Sequence, residues 1–418
     1  METIKEKAIR ALRWSERYTK TDMVYLTKGG VWLAVGHFMQ MAGGLALSIA
    51  FANMLPKAVY GTYQFVMSLE TIIGGLTLSG LGTALMRSMA SGKGGTLAWA
   101  FKTQLTWNIG IVVAAGASAI YYFYNGDTEI GAALLIVGTF APFLSAFNLY
   151  RPFLEGKQLF KESTTLGVWR RPIPIISLIT ALLFTDNPVV LVLVYFISNT
   201  VSAGLIYSLT KHRYPEPAET ADPNTLKYAK HLSILGFFAL ITAHLDKILL
   251  FHFLGPAPAA IYMIASLPSD QLHKLFGLIG RLVFRKFARH DFETLRKSLS
   301  HKFMLFFLAV GAITIVYYFT APYVFGFIFP KYVEAVFFSQ ILMLTLLFRP
   351  ATLFNQVFVA HGLKRAQYFL QLSSNAIKIT LLILLIPMYG IWGAVASMLA
   401  MYVYWFFAAL LLFYGRKS

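Results

Sequence analysis

Cysteine is absent from the 418 residues, and charge is scarce: Asp, Glu, Lys and Arg together make up 13% of the chain. The first absence excludes disulfide staples, thiolate nucleophiles and thiolate metal sites. The second excludes an ordinary soluble domain, in which about a quarter of residues are charged. Acids are the rarer sign, 18 against 36 Lys and Arg, which leaves a formal charge of +18. A nucleic-acid binder would carry its basic patch on a polar surface that also holds acids, and this chain has no such surface, so nucleic acid is excluded as a partner. H-E-x-x-H, G-x-S-x-G and P-loop patterns are missing too, which removes the common metalloprotease, serine hydrolase and nucleotide-binding signatures.

Apolar side chains are abundant: 57% of residues are hydrophobic and the mean hydropathy is +0.63. A membrane-spanning helix needs about 20 predominantly apolar residues. Twelve windows qualify: 31–54, 63–86, 103–124, 131–150, 165–184, 188–210, 229–253, 258–280, 300–319, 332–354, 366–387 and 391–414. "VWRRPIPII" interrupts the fifth, and "APYVFGFIFP" prolongs the ninth. Lys and Arg collect in cytoplasmic loops, and threading the chain through twelve spans puts all but five of the 36 on one side. The opposite side holds Lys57, Lys247 and Lys331, while Lys274 and Lys378 fall inside spans. The expected topology is a multi-pass protein of the cytoplasmic (inner) membrane with both termini cytoplasmic, and its bilayer-facing loops account for the +18. Residues 1–28, too charged to cross, read as a basic segment able to lie as an amphipathic helix on the inner leaflet.

The chain also repeats itself. "LPKAVYGTY" at 55–63 and "LGPAPAAIY" at 254–262 share Leu, Ala and Tyr at an offset of 199 residues, and each opens a span that ends in arginine. The polar stretch "KHRYPEPAETADPN" separates the halves. Internal repeats of this kind are common in transporters. The predicted organisation is residues 29–212 as one six-helix lobe, 213–226 as a cytoplasmic linker and 227–418 as the second lobe. In this register Glu70 lies opposite Ser269, beside Asp270, so each half carries an acid near the middle of its second helix.

Ionisable residues inside a span are costly and mark either a cavity or a mutual pair. Asp270, His273 and Lys274 share one helical face with Arg281 below. Asp270 and Lys274 at i and i+4 are placed to neutralise each other, and the same face is placed to line a cavity. Lys378, mid-span beside Asn375, needs a carboxylate or a wet cavity, with Glu70, Asp246 and Asp270 as the acids on offer. Asp246 and Lys247, with His244, lie about 10 Å below the outer end of the seventh span by helical rise, as a gate or a structural pair. Glu70, Asp246 and Asp270 are also candidates for a coupling proton or sodium ion. No catalytic residue, metal site or organic cofactor is expected.

"LPKAVYGTYQFVMSLETIIGGLTLSGLGTALMRSMA", "LDKILLFHFLGPAPAAIYMIA" and "LLIPMYGIWGAVASMLA" resemble the signatures of the polysaccharide (O-antigen type) flippases of the multidrug/oligosaccharidyl-lipid/polysaccharide exporter superfamily. The resemblance runs from about residue 28 to the end. It implies an all-α membrane protein with two pseudo-symmetric six-helix bundles around a central cavity. It further implies a transporter that carries a polyprenyl-diphosphate oligosaccharide to the outer leaflet by alternating access, working beside other polysaccharide-assembly proteins. Under that reading Arg87, Arg281 and Arg349 meet an entering phosphate headgroup, while His273, Lys274 and Lys378 line the deeper path. A multidrug or cation antiporter of the same superfamily shares the topology but should present mainly acids. A glycan polymerase would need a larger outer catalytic region than loops of about 3 to 12 residues provide.

Overall fold

The computed structural model describes residues 23–92, 96–215, 223–287 and 292–415, with many side chains of 23–35 and 278–302 outside that description. Within it the regular structure is helical throughout. Residues 1–22 of the basic segment 1–28 and 216–222 of the linker 213–226 fall outside the described residues.

The helices read as twelve rods: α1 Met23–Met54; α2a Lys57–Gly75 and α2b Leu81–Ala90; α3a Leu97–Trp107 and α3b Ile109–Tyr124; α4a Thr128–Phe147 and α4b Tyr150–Gly156; α5a Phe160–Arg170 and α5b Pro172–Leu182; α6 Pro188–Arg213; α7 Pro223–Leu254; α8 Pro256–Phe287; α9 Phe292–Ile328; α10a Ala335–Leu344, a 3-10 stretch Thr345–Ala351 and α10b Thr352–Ala360; α11 Lys364–Tyr389; α12 Ile391–Tyr414. They fall on the twelve apolar windows. Among the described residues, eight are long and apolar enough to cross a bilayer by length and composition alone. Of the others, α2 and α5 are broken and α8 carries embedded polar groups, while the described apolar part of α1 is Phe38–Met54.

Three of the breaks, in α2, α3 and α5, have a visible local cause, and in an apolar medium the freed backbone groups must find partners. At Leu76–Gly80 the Thr77 hydroxyl donates to Gly74 O at 2.8 Å, and the Gly80 N–H donates to Ser233 Oγ of α7 at 2.9 Å. At Asn108 the side chain accepts from Gln104 and donates to Pro142 O at 2.7 Å and Ser145 Oγ at 2.6 Å, which joins α3 to α4. Between α5a and α5b, Pro172 and Pro174 follow two arginines, and a proline ring cannot continue the upstream hydrogen-bond ladder. Many large apolar side chains stay exposed on the rods, among them Leu205, Phe327 and Leu411. In a multi-pass membrane protein these are the lipid-facing sides.

The chain packs as two compact units. One comprises the chain up to Ser48, Ile73–Thr185 and Val189–Phe237; the other comprises Ile49–Ile72, Asp186–Pro188 and Phe238–Ser418. Residues 49–72, in the first half by chain order, thus pack with the second unit. The first unit's core gathers Leu81, Leu85, Phe153, Leu154 and Tyr207, so that α4b sits at its centre. The second unit's core gathers Leu299, Phe354, Phe358, Leu370 and Phe413 around α10b, the same position in the repeat.

In the second unit α2a lies directly on α8. A Cβ at Gly61 would fall 1.9 Å from Pro256 O, so only glycine allows this approach. Lys57 pairs with Glu334, and Asn53 Nδ2 donates to Ile328 O at 2.8 Å. The two copies of the repeat motif therefore meet at their helix starts.

Candidate substrate-binding pockets

The first unit holds a cavity of about 430 Å³ lined from α1, α4, α5 and α6. Gly36 and Gly43 let α1 come close to α5, since Cβ atoms there would meet Thr164 at 3.0 Å and Ile175 at 2.9 Å. Arg151, Arg170 and Arg171 line this cavity together with Gln40, Asn148 and Asn199, and no carboxylate is among the lining residues. Arg170 is held: its fork donates to Asn148 Oδ1, to Ser202 Oγ at 3.3 Å, and to the Asn199 carbonyl and side-chain oxygens at 3.5 Å. Arg151 shares its charge with Glu155 at 2.8 Å. The guanidinium of half-buried Arg171 makes no hydrogen bond or ion pair among the described residues. Two guanidinium charges thus go unpaired in a partly desolvated place, which favours an anion.

The second unit holds its own cavity, about 330 Å³, lined from α10, α11 and α12. These are the repeat equivalents of α4, α5 and α6. Its lining is different: one arginine, Arg349; the amides Asn355, Gln367, Gln371 and Asn375; Ser374; and the rings of Tyr402 and Trp405. His273 supports this wall from α8. Thr345 Oγ1 donates to Leu342 O at 2.6 Å, so the 2.9 Å contact has His273 Nε2–H donating to Thr345. The imidazole stacks on Tyr402 with centroids 4.8 Å apart and planes 9° apart, and its main-chain carbonyl accepts from Arg349 Nη2 at 3.2 Å.

The remaining residues singled out from the sequence go elsewhere. Lys378 is buried on α11 and donates to Thr242 O of α7 at 2.6 Å, one turn before buried Asp246. Asp246 accepts from Tyr262 at 2.7 Å through Oδ2, and its Oδ1 has no hydrogen-bond partner among the described residues. Lys247 and Lys378 lie within electrostatic reach of Asp246, and the same two lysines, Asp246 and Lys274 lie within reach of Asp270. No Asp270–Lys274 ion pair forms among the described residues, and Lys274 is exposed. Glu70 accepts from Thr71 at 3.4 Å, apart from this cluster. Arg87 ends α2b with its guanidinium 4.7 Å over Tyr228, as an interfacial anchor would. Arg281 lies on α8, outside the residues whose side chains are described.

The family model described as "Polysaccharide biosynthesis protein" matches residues 26–283, more than half of the chain. The chain belongs to this family. Among solved structures, family membership is joined by the fold of the MOP-superfamily transporters. One is a multidrug resistance MATE transporter in its inward-facing conformation: TM-score 0.68 at 14% identity, covering 93% of this chain and 98% of that one. The lipid II flippase MurJ, inward closed, gives 0.66 at 16% identity, with 91% and 87% covered. A MOP transporter from Pyrococcus furiosus, described by the reverse polarity of its binding pocket, gives 0.63 at 14% identity, with 94% and 96% covered. A search of curated proteins returns no match. The family member described here is therefore a multi-pass membrane protein with a transporter fold.

Arginines 151, 170 and 171 and the amides Asn355, Gln367 and Gln371 are not among the residues singled out from the sequence, where Asn375 figures only as a neighbour of Lys378. The arginines were counted as loop charges, although "RRPIP" inside an apolar window was a signal that they sit within a rod. The amides are neutral and leave no trace in charge counting.

Proposed function

We propose that this protein translocates a polyprenyl-diphosphate-linked oligosaccharide from the cytoplasmic to the outer leaflet by alternating access, for cell-surface polysaccharide biosynthesis. The observation that carries the reading is the arginine cavity of the first unit. A diphosphate brings about two negative charges, and Arg170 and Arg171 supply two positive ones that no lining acid offsets. Arg–phosphate pairing is frequently bidentate, which suits a headgroup that must be gripped and released. A cation extruder would meet repulsion at this wall. Family membership and the MurJ-like fold support the same class of cargo. In this reading Arg349 and exposed Lys274 are further cations met by the substrate, whereas Lys378 is engaged in holding α11 to α7. Arg87 and Arg281 serve at the cytoplasmic ends. Glu70 and Asp270 remain the groups proposed to take a coupling proton or sodium ion.

Reconstituted proteoliposomes loaded with the host's lipid-linked oligosaccharide provide the test, with outward movement read by an impermeant glycan oxidant. Wild type should expose the glycan, and Arg171→Ala should slow exposure by about tenfold, as expected for the loss of a charge-assisted contact. Export of ethidium with no movement of the glycan would establish the antiporter instead.

A further inference from the structure

The cavity of the second unit has a chemistry that phosphate binding does not call for. Asn355, Gln367, Gln371 and Asn375 line it, and their side chains make no hydrogen bond among the described residues. Each primary amide presents two donors and one acceptor. Gln371 is exposed and the other three are partly buried, so all four are open to a ligand entering the cavity. A phosphate, which only accepts, would leave the amide oxygens unspent. A sugar hydroxyl both donates and accepts and would use both ends. Trp405 and Tyr402 add aromatic faces on which the C–H face of a pyranose ring packs. Arg349 adds one anion-seeking group: Nη2 is spent on His273 O, while buried Nε has no partner among the described residues.

We propose that this cavity recognises a sugar of the oligosaccharide head, one bearing a carboxylate that Arg349 addresses. The proposal rests on the flippase reading, in which the arginine cavity takes the diphosphate. The positioning residue is His273, whose ring and carbonyl hold Tyr402 and Arg349 in place.

The probe is free oligosaccharide, released by mild acid from the host's lipid-linked intermediates so that it carries neither lipid nor phosphate. Binding to full-length protein in nanodiscs is read by saturation-transfer NMR, with farnesyl diphosphate as a parallel ligand. Wild type should bind the free glycan, and Gln371→Ala, Asn375→Ala and Trp405→Ala should each weaken it by about tenfold while farnesyl diphosphate binding stays unchanged. Reducing the glycan's carboxylates should weaken wild type by a similar factor and leave Arg349→Gln indifferent. Retained farnesyl diphosphate binding also shows that the variants are folded. If the free glycan fails to bind, or binds wild type and Trp405→Ala alike while farnesyl diphosphate still binds, the sugar site is wrong and the flippase reading stands. If neither ligand binds wild type, both fail.

Discussion

Two neighbouring arginines illustrate how differently identical residues can be employed. Arg170 spends its fork on Asn148, Asn199 and Ser202, whereas Arg171 is uncommitted. Lysine offers a point charge and no planar fork. Arg171→Lys should therefore lose part of glycan export with thermal stability unchanged, while Arg170→Lys should lose export together with several degrees of thermal stability, both measurable in one purified series. The buried Lys378–Thr242–Asp246 arrangement makes a second prediction at this scale. Removing one member of a buried charge pair strands the other, at roughly 3 kcal/mol or more, whereas neutralising both can cost little. Lys378→Met and Asp246→Asn should each lower the melting temperature in nanodiscs, and the double variant should recover part of the loss. If the double variant loses the full sum of the two, the charges are not coupled.

Among the elements, the broken rods carry the strongest constraint. Gly80 sits where α2 is interrupted, and a Cβ there would lie 2.6 Å from both Ala229 O and Leu232 Cβ of α7. Gly80→Ala should reduce folded yield by about 1–3 kcal/mol of destabilisation, since backbone cannot give way as a side-chain tip can. Gly74→Ala, which meets nothing within 4 Å, is the control. Rod number and rod placement were legible in the sequence, because a bilayer leaves the chain little choice beyond apolar helices. Which helix wall faces a cavity was not legible. Arg170 and Arg171 look in sequence like loop cations, and only the bend at Pro172 and Pro174 carries them to a cavity wall. Lys378 demanded a partner, but the partner turned out to be a main-chain carbonyl, which no side-chain inventory reveals. Asp270 and Lys274 had suitable spacing for a pair and still stand apart, since spacing along a helix permits a contact without enforcing it.

For the molecule as a whole, the absence of cysteine makes orientation directly measurable. Single cysteines at Asn125 and Gln158, both in turns between rods, should be labelled by an impermeant maleimide from opposite sides of intact cells: Asn125→Cys from outside, Gln158→Cys only after the membrane is opened. The reverse pattern would invert the topology read from the Lys and Arg distribution. The unspent amides of α11 bear on biogenesis as well. A helix carrying Gln367, Gln371 and Asn375 enters the bilayer less willingly than one carrying leucines, so the cell accepts a harder insertion for the sake of this wall. Gln371→Leu and Asn375→Leu should accumulate to higher levels in the membrane than wild type, and a screen that rewarded yield alone would select transporters that have lost their reader of sugars.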